Sequence, residues 1–579
     1  MANTNNDTGL PTFRILSGGS AIPSDYGVAA FAVRKQVNRI PSARLVLFDG
    51  SVAEQTFKVS GAEEFVPGKE IEIQAGYNNQ NETIFRGIVI RHAIKTRKDQ
   101  PGNLILDLKD VAIKMTVGKK NTYFTEVTDS DVIEEVLGRY GDITPEVEAT
   151  NDEHAEMTQY YCTDWDFMMS RADANGMLAY ISDGTLAIKT PAIADPVLEL
   201  EYGRNMIEFE AGMDVREQYK GTLTRSWDYS SQEMLEAEGA DPGLEEAGNL
   251  SADELADVIG LEQLPMQHGN KLTTKELEKW ASAKLLRSRL AKVRGRVRIF
   301  GNNVIKPGDT IELLSVGDRF LGKAFVSGVL HQLSANSQWV TDIQFGLSPK
   351  WFSEQFSNIM DKPAAGLLPA VYGLQNAVVT QLHEDPAGED RIKVRVPVMD
   401  AQAEGIWARM ATLDAGDSRG VFFRPEVGDE VIVGFVNDDP RAPVILGMLH
   451  SQAKPSPVPA EEENNIKGII TRSEIKLLFD DDLKVASLET PGGNKYILND
   501  DEEGILIEDM NGNMIEMSPD GITIKSAKKL ILDAPDDVEI NGKNITAAAQ
   551  SAFKAEGSSS ADFTTNGKAT IKGSLVGIN

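Results

Sequence analysis

The stretch LNDDEEGILIEDMNGNMIEMSPDGITIKSAKKLILDAPDDVEI, residues 498–540, decides the fold because apolar residues recur in it every eight positions. Two apolar residues at i and i+2 lie on the same face of a strand. Turn pairs such as Asn511-Gly512 and Asp520-Gly521 separate the runs, so each unit is predicted to be one short strand and one corner. The predicted core residues are Leu498, Leu506, Met514, Ile522, Leu530 and Val538, with Ile524, Leu532 and Ile540 two positions further on.

A single chain of such units cannot close a core, because each strand offers few inward side chains and leaves its edges unpaired. Three copies wound around one axis would stack these residues inside and pair the edges. The sequence therefore predicts a C-terminal trimeric β-helix needle over residues 490–579. An ordinary meander or a single-chain β-helix is the alternative. A calcium-binding β-roll is disfavoured because its repeat has nine residues.

Upstream of the needle, three alternating runs end in Gly, Pro or Asp turns: residues 392–396, 431–435 and 444–448. Short strands of this kind favour a small Greek-key barrel, an OB-fold, over residues 370–450. Residues 451–489 are predicted to be a linker or neck.

Some OB-folds bind nucleic acid, but this segment offers neither a ladder of exposed aromatic residues nor a continuous basic groove. The whole chain carries 88 acidic and 58 basic residues, a formal charge of −30, which repels nucleic acid. We therefore expect no nucleic-acid partner.

Residues 1–360 mix strand and helix patterns, which predicts a hub of two tube-like β-barrel domains and an α/β segment. The expected boundaries are 1–110 for the first barrel, 111–200 for the α/β segment and 201–360 for the second barrel. The fold class is thus mainly β with some α.

Three helices are predicted within the hub. The first is capped at Asp129-Ser130, the second runs from Thr163 to a stop at Asn175-Gly176, and the third spans about residues 273–290. Residues 226–270 contain many Asp and Glu but no Lys or Arg. We expect this acidic insertion to be solvated and partly disordered, in preference to a dedicated partner-binding loop.

Composition sets the broad class of the protein. With 579 residues, 41% apolar and 25% charged, the chain is long enough for several domains. Its first thirty residues lack a signal-peptide pattern, and no run reaches the length of a membrane helix. We expect synthesis in the cytoplasm without a signal peptide. The single Cys162 excludes an internal disulfide framework and a Cys-based metal cluster.

No pattern of catalytic residues emerges from the sequence. The six histidines are scattered without an HExxH pair, and there is no GxSxG elbow, Walker loop or GxGxxG after a strand. Cys162 follows His154 by eight residues, but a structural thiol beside Tyr160, Tyr161 and Trp165 is favoured over a catalytic dyad. We predict no catalytic, cofactor-binding or metal-binding site, and hence no enzyme.

Taken together, the modules resemble the VgrG family of type VI secretion spikes and, more closely, the VgrG-like spikes of phage-tail-like extracellular contractile injection systems. The likeness covers nearly the whole chain, and its order and spacing matter more than any one motif. Its residues are Val37-Asn38-Arg39-Ile40-Pro41, Phe85-Arg86-Gly87, Thr163-Asp164-Trp165-Asp166-Phe167, Lys306-Pro307-Gly308-Asp309, Arg391-Ile392-Lys393-Val394, the run from Phe422 to Val431, and Asp438-Asp439-Pro440-Arg441.

The resemblance implies a homotrimeric hub with six barrel-like domains, which adapts a sixfold inner tube to a threefold needle. Sheath contraction would drive the needle through a target envelope. The implied partners are the inner tube protein, baseplate proteins, secreted effector or toxin cargo, a PAAR-type tip protein and, transiently, the target membrane. The expected platform for the tip protein is Leu575, Val576, Gly577, Ile578 and Asn579.

The chain differs from some members of the family, and these differences limit the function expected of it. About forty residues between the OB-fold and the needle leave no room for a lysozyme domain, and the last histidine, His450, precedes the needle. We expect no toxin domain beyond Asn579. Cargo and tip are therefore expected from other chains, and a needle metal is not expected. A trimeric tail fibre or adhesin and a tail-associated cell-wall hydrolase remain alternatives. The expected location is an assembled injection particle, either anchored in the producing cell or released.

Overall fold

Strands of alternating polar and apolar residues form much of the hub in the computed structural model, which describes residues 9–98, 100–335 and 337–578. In the third and fourth strands, Phe31, Val33, Leu45 and Leu47 point into the core, because successive side chains of a strand alternate between its faces. The first seven strands are β1 (Pro11–Ser17), β2 (Ser20–Ala21), β3 (Val28–Gln36), β4 (Arg39–Phe48), β5 (Glu70–Tyr77), β6 (Gln80–Arg97) and β7 (Gln100–Lys109).

Two capped helices, α1 (Asp129–Gly138) and α2 (Asp164–Ala174), define the α/β segment. Thr128 caps α1 through a reciprocal capping box with Asp131, so the cap lies just before the predicted pair. The predicted limits of α2 are confirmed, with Thr163 as its N-cap. Its strands are β8 (Lys120–Thr128), β9 (Thr144–Val147), β10 (Glu153–Cys162), β11 (Leu178–Ser182) and β12 (Thr185–Lys189).

The rest of the hub adds strands around one long helix. This helix, α4 (Thr274–Ala291), confirms the third predicted helix. The other helices are α3 (Ala252–Ile259) and α5 (Phe352–Gln355). The strands are β13 (Leu198–Glu201), β14 (Glu208–Met213), β15 (Gly221–Asp228), β16 (Glu233–Glu238), β17 (Gln263–His268), β18 (Val293–Phe300), β19 (Thr310–Leu314), β20 (Gly322–Ser334) and β21 (Val340–Phe345).

The two hub halves, predicted as separate barrels, share one sheet. Strand β20 pairs antiparallel with β3 from Gly328 opposite Gln36 to Ser334 opposite Ala30. This pairing joins the halves into a continuous sheet of thirteen strands. Sequence patterns identify each strand but not its partner, so this connection was not predicted.

The acidic insertion is ordered, and the prediction of partial disorder is wrong. It contains β16, α3 and β17, and the strands flank β15 in a three-stranded sheet. Leu255 and Ala256 of α3 are buried. The insertion has no Lys or Arg of its own, and basic residues at the end of α4 and just beyond it pair with its acids. Arg289 binds Asp253 at 3.1 Å, and Lys292 binds Glu246. Long-range ion pairs and an apolar helix face therefore order a segment whose composition suggests disorder.

The hub strands and helices belong to the first of two units, which runs to Gly373 and also contains Phe435–Ala442. The second unit begins at Leu374 with a closed five-stranded barrel, which confirms the predicted OB-fold. Its strands are β22 (Gln375–Gln381), β23 (Ile392–Arg395), β24 (Ile406–Met410), β27 (Glu430–Phe435) and β28 (Pro443–Met448), and between β24 and β27 lies a small hairpin of β25 (Ala415–Gly416) and β26 (Arg419–Gly420).

After the barrel comes a seven-stranded antiparallel meander, which we call the rod sheet. It starts at Ile466, inside the segment predicted as a neck, and ends at Lys525. Its strands are β29 (Ile466–Ile470), β30 (Lys476–Asp480), β31 (Val485–Glu489), β32 (Lys495–Asn499), β33 (Gly504–Glu508), β34 (Met514–Ser518) and β35 (Gly521–Lys525). Residues 526–578 carry no assigned strand in the single chain.

Short 3-10 turns complete the secondary structure, at Glu63–Phe65, Val111–Thr116, Pro363–Gly366 and Val436–Asp438. Among the described residues, none of the helices combines the length and apolar character needed to cross a bilayer.

Candidate functional site

One face of the rod sheet is almost entirely apolar. Cross-strand partners of an antiparallel pair lie on the same face, and the pairing register therefore defines this surface, which we call the rod face. Apart from Lys467 at its edge, its members are Ile469, Leu477, Phe479, Ala486, Leu488, Tyr496, Leu498, Ile505, Ile507, Ile515, Met517, Ile522 and Ile524.

The rod face is uncovered in the single chain. Ten of its side chains are 36–67% exposed. A groove of about 640 Å³ runs along it, lined in part by Leu488, Tyr496, Ile507 and Leu530. An exposed apolar surface of this extent is typical of a protein interface.

The opposite face carries most of the charge. Lys495 and Glu508 form a cross-strand ion pair there at 3.0 Å, and Glu516 lies between Leu506 and Thr523. The rod sheet therefore has one almost entirely apolar face and one mixed face, on which these charged residues alternate with Leu478, Ile497, Leu506 and Met514.

The corners of the rod sheet follow the predicted turn residues. Asp509 Oδ1 accepts hydrogen bonds from the backbone N–H groups of Asn511 and Asn513, at 2.8 and 2.9 Å. Gly512 has φ = 83°, a left-handed conformation that glycine adopts without strain. The turn that was predicted at Asn511-Gly512 is thus the hairpin between β33 and β34.

The structure brings only part of the predicted needle core together. Leu498, Ile522 and Ile524 lie on the rod face, whereas Leu506 and Met514 lie on the opposite face. Leu530, Leu532, Val538 and Ile540 follow the last strand and are exposed.

The octad count changes face between Leu498 and Leu506, and again between Met514 and Ile522, because partners across those two hairpins differ by an odd number of residues, whereas partners between β33 and β34 differ by an even number. In β32 and β33 the partners are Leu498 and Ile505, whose numbers differ by seven. A step of eight from Leu498 therefore reaches the other face, since neighbouring residues alternate. The rod-face residues Ile505, Ile507, Ile515 and Met517 were missed, and hairpin loop length is the sequence signal that identifies them.

The predicted tip platform has no assigned strand. Leu575, Val576 and Ile578 are exposed in the single chain. Asn579, the last residue of the prediction, lies outside the described residues.

The two residues weighed as a catalytic dyad have separate roles. The ring nitrogens of His154 face carboxylates on both sides, with Nε2 3.3 Å from Asp129 Oδ2 and Nδ1 3.3 Å from Glu276 Oε1. Hydrogen bonds to these carboxylates raise the pKa of His154 to about 9. Burial raises the pKa of the Cys162 thiol, which disfavours the nucleophilic thiolate.

His154 belongs to a network that ties α4 to the α/β segment. Arg171 of α2 binds Asp129 through Nε at 2.6 Å and Nη2 at 3.1 Å. Burial acts to raise the pKa of Asp129, but hydrogen bonds from His154 and Arg171 outweigh it and hold this pKa well below its ordinary value. The cluster therefore holds these elements together through ion pairs and hydrogen bonds.

Within the part of the chain that the structure describes, no three His, Cys, Asp or Glu side chains converge as a metal site would require.

Three basic residues of the OB domain are paired with acids. Arg391 binds Asp385 at 2.7 Å, Arg424 binds Asp390 at 2.7 Å, and Lys393 binds Glu404. These pairs neutralise the cations that a nucleic-acid groove would need to keep free.

Comparison with known families matches most of the chain in three segments. Residues 7–335 match the model of the Alg8 N-terminal domain. Residues 375–450 match the type VI secretion system/phage-baseplate injector OB domain, and residues 485–546 match the phage baseplate V C-terminal trimerisation domain.

Individual proteins are similar over parts of the chain. The type VI secretion system spike protein VgrG4b of Pseudomonas aeruginosa is 30% identical over 175 residues, 28% of this chain and 19% of that protein's length. A tail protein from Neisseria meningitidis is 14% identical with a TM-score of 0.44, covering 59% of this chain and 98% of the other. A type VI secretion component from E. coli is 13% identical with a TM-score of 0.39, covering 75% and 100%.

Proposed function

Because this chain belongs to the Alg8 N-terminal domain family and is a VgrG-like spike protein, a structural part, we propose that three copies form the hub and needle of a contractile injection machine. The observation that carries the proposal is the rod face, an apolar sheet surface that one chain leaves uncovered. Three such faces turned toward a common axis would form the core of a rod.

The energetics favour this arrangement. Full burial of a large apolar side chain contributes roughly 1.5–3 kcal/mol, so covering the exposed part of each rod-face residue contributes about 1 kcal/mol. Ten such residues in each of three chains give on the order of 30 kcal/mol gross, before the loss of translational and rotational freedom is subtracted. This gain is large enough for a stable trimer.

The proposed trimer core also includes exposed apolar residues after β35. Leu530, Leu532, Val538 and Ile540 continue the apolar pattern but have no strand partner within the chain. We propose that partners from the other two copies order them in the needle. The refined core then consists of the rod face followed by these four residues.

At the other end of the chain, the hub would match the sixfold symmetry of the inner tube to the threefold symmetry of the needle. Each chain contributes two sheet halves joined through β3 and β20, so three chains would present six. Such a ring fits a sixfold inner tube above and a threefold needle below. Contraction of a sheath would then push the tube and needle through the target envelope.

The proposed partners follow from these positions. The hub would contact the inner tube protein and baseplate proteins, while residues 575–579 would seat a PAAR-type tip protein. Secreted effector or toxin cargo and transient contact with the target membrane complete the set. The chain would act mechanically within an assembled injection particle and would catalyse no reaction.

A trimeric tail fibre or adhesin is the second candidate, since it would share the rod. The match of residues 375–450 to an injector OB domain favours the hub. A tail-associated cell-wall hydrolase is disfavoured because the 3.3 Å contacts of His154 to two carboxylates and the raised pKa of Cys162 leave neither group poised for catalysis.

Electron microscopy of the assembled particle tests this proposal. The prediction is threefold density for this chain at the end of the inner tube, with the rod pointing away from the tube. Density for the chain in peripheral fibres would contradict it.

A further inference from the structure

A cavity of about 440 Å³ lies between the two halves of the hub, and we call it the hub cavity. The first half contributes Gly9, Pro11 and Tyr77 to its lining. The second half contributes residues of β13, the ends of β18 and β19, and the loop of residues 301–305. This volume is within the range of roughly 300–1,000 Å³ that is usual for ligand sites.

Hydrogen bonds hold the walls of the hub cavity in place. Asn302 Oδ1 accepts the N–H groups of Val304 and Ile305, at 2.9 and 3.1 Å. The hydroxyl of Tyr77 donates to the Gly301 carbonyl at 3.1 Å, which ties this loop to the first half of the hub. The cavity is therefore preformed, and binding requires little ordering of the protein.

Trp339, which lines the cavity, has a hydrogen-bond donor that the chain does not use. Its side chain is 1% exposed, and its Nε1–H has no acceptor among the described residues. The indole packs so closely on Gly301 that a Cβ there would lie 1.9 Å from it. Because a buried indole N–H normally has a partner, a ligand in this cavity is expected to supply an acceptor.

The rim of the hub cavity is rich in exposed apolar side chains. Phe300 and Val304 line the cavity and are 54% and 47% exposed. Leu10, between the lining residues Gly9 and Pro11, is 77% exposed. Apolar surface that extends beyond a cavity in this way is typical of a site for a protein partner, which covers the rim as well as filling the cavity.

The charged residues of the lining leave one carboxylate unpaired. Arg204 pairs with Glu201 at 3.3 Å. The carboxylate of Glu199, on the same strand as Glu201, has neither an ion pair nor a hydrogen bond within the described part of the chain. A cation on the ligand would therefore find a free partner at Glu199.

We propose that the hub cavity binds a polypeptide segment of a partner protein in which a large apolar side chain is adjacent to a lysine or arginine. The apolar side chain packs against Phe300 and Trp339, a main-chain carbonyl accepts the hydrogen bond of Trp339 Nε1, and the cation pairs with Glu199. The formal charge of −30 on the whole chain also attracts a basic partner. This inference concerns the hub of a single chain and does not depend on the proposed trimer.

Titration of capped tripeptides into the full chain tests the site. The probe is acetyl-Lys-Phe-Lys-amide. One control, acetyl-Lys-Ala-Lys-amide, lacks the apolar side chain, and the other, acetyl-Glu-Phe-Glu-amide, reverses the charge. The chain is labelled with 5-fluorotryptophan, and the fluorine NMR signal of Trp339 is identified among those of the six tryptophans by its loss in Trp339→Phe. The probe should shift this signal, and both controls should bind at least about tenfold more weakly.

Variants of the lining locate the bound peptide. Val304→Arg places a cation at the rim and should lower the affinity for the probe at least about tenfold. Val258→Arg, at an exposed position of α3 that does not line the cavity, should leave the affinity unchanged. Glu199→Gln should weaken binding of the probe by about twofold to fivefold, whereas Glu233→Gln, elsewhere in the hub, should not.

Three results would overturn the inference. The first is a Trp339 signal that does not move when the probe is added up to its solubility limit. The second is an equal shift with all three peptides, and the third is unchanged binding in Val304→Arg. Each of these results would leave the rod face and the proposed trimer standing.

Discussion

Replacing Ile522 by Asp should dissociate the rod, whereas the same change at the neighbouring Thr523 should not. Both side chains are exposed in the single chain and lie next to each other on β35. They point to opposite faces, since Ile522 pairs with Met517 on the rod face and Thr523 pairs with Glu516 on the other face. A difference between the variants can therefore arise only if another copy covers the rod face.

The magnitude follows from the exposure of Ile522, which is 67%. Burial of a whole Ile contributes roughly 1.5–3 kcal/mol, so covering the exposed part contributes about 1–2 kcal/mol per chain. A buried, unpaired carboxylate costs several kcal/mol more in each chain. Over three chains, Ile522→Asp should destabilise the trimer by on the order of 10 kcal/mol. Thr523→Asp faces Glu516 and should cost less than about 1 kcal/mol per chain.

Light scattering coupled to size-exclusion chromatography at micromolar concentration measures the outcome. Circular dichroism and tryptophan fluorescence would verify that the hub of the Ile522→Asp variant stays folded. If both variants remain trimers of equal stability, the rod face does not lie in the interface and the reasoning is refuted.

Three further predictions concern the hub and the barrel. His154→Gln should lower the free energy of unfolding by about 2–3 kcal/mol near pH 6, measured by urea titration. Because the folded-state pKa of His154 is raised to about 9, the difference between variant and parent should disappear as the pH rises through that value. Asp173→Ala should cost about 3–5 kcal/mol by thermal melting, since it strands the buried Arg287 guanidinium; a neutral result would contradict this pairing. Gly405→Ala should destabilise the barrel by about 2 kcal/mol or more, because φ is 95° and a Cβ would lie 1.9 Å from a β23 carbonyl oxygen. The control Gly388→Ala, at φ = 66° with no atom near its Cβ, should cost about 1 kcal/mol. Equal losses of stability would argue against the clash.

Local sequence signals predicted the elements well. The helices at 164–174 and 274–291 carry their caps, Thr163 and Thr273, in the sequence itself, and the OB strands alternate visibly. Alternation also predicted that the rod strands carry an apolar face. These features depend on neighbours within a few residues, which a sequence displays directly.

Long-range pairing accounts for what was missed. The join between β3 and β20 links residues some 300 positions apart, and the acidic insertion gains its order from Arg289 and Lys292, which lie beyond it. On the rod, the assignment of Leu506 to the core assumed that every step of eight residues stays on the same face. Across the hairpin between β32 and β33, partners differ by an odd number of residues, which puts Ile507 on the apolar face instead.

The molar mass of the purified chain in solution tests the central claim most directly. Sedimentation equilibrium should give three times the chain mass of 63.2 kDa, with the same value across a range of micromolar concentrations. A stable monomer with its rod face exposed to water would contradict the account.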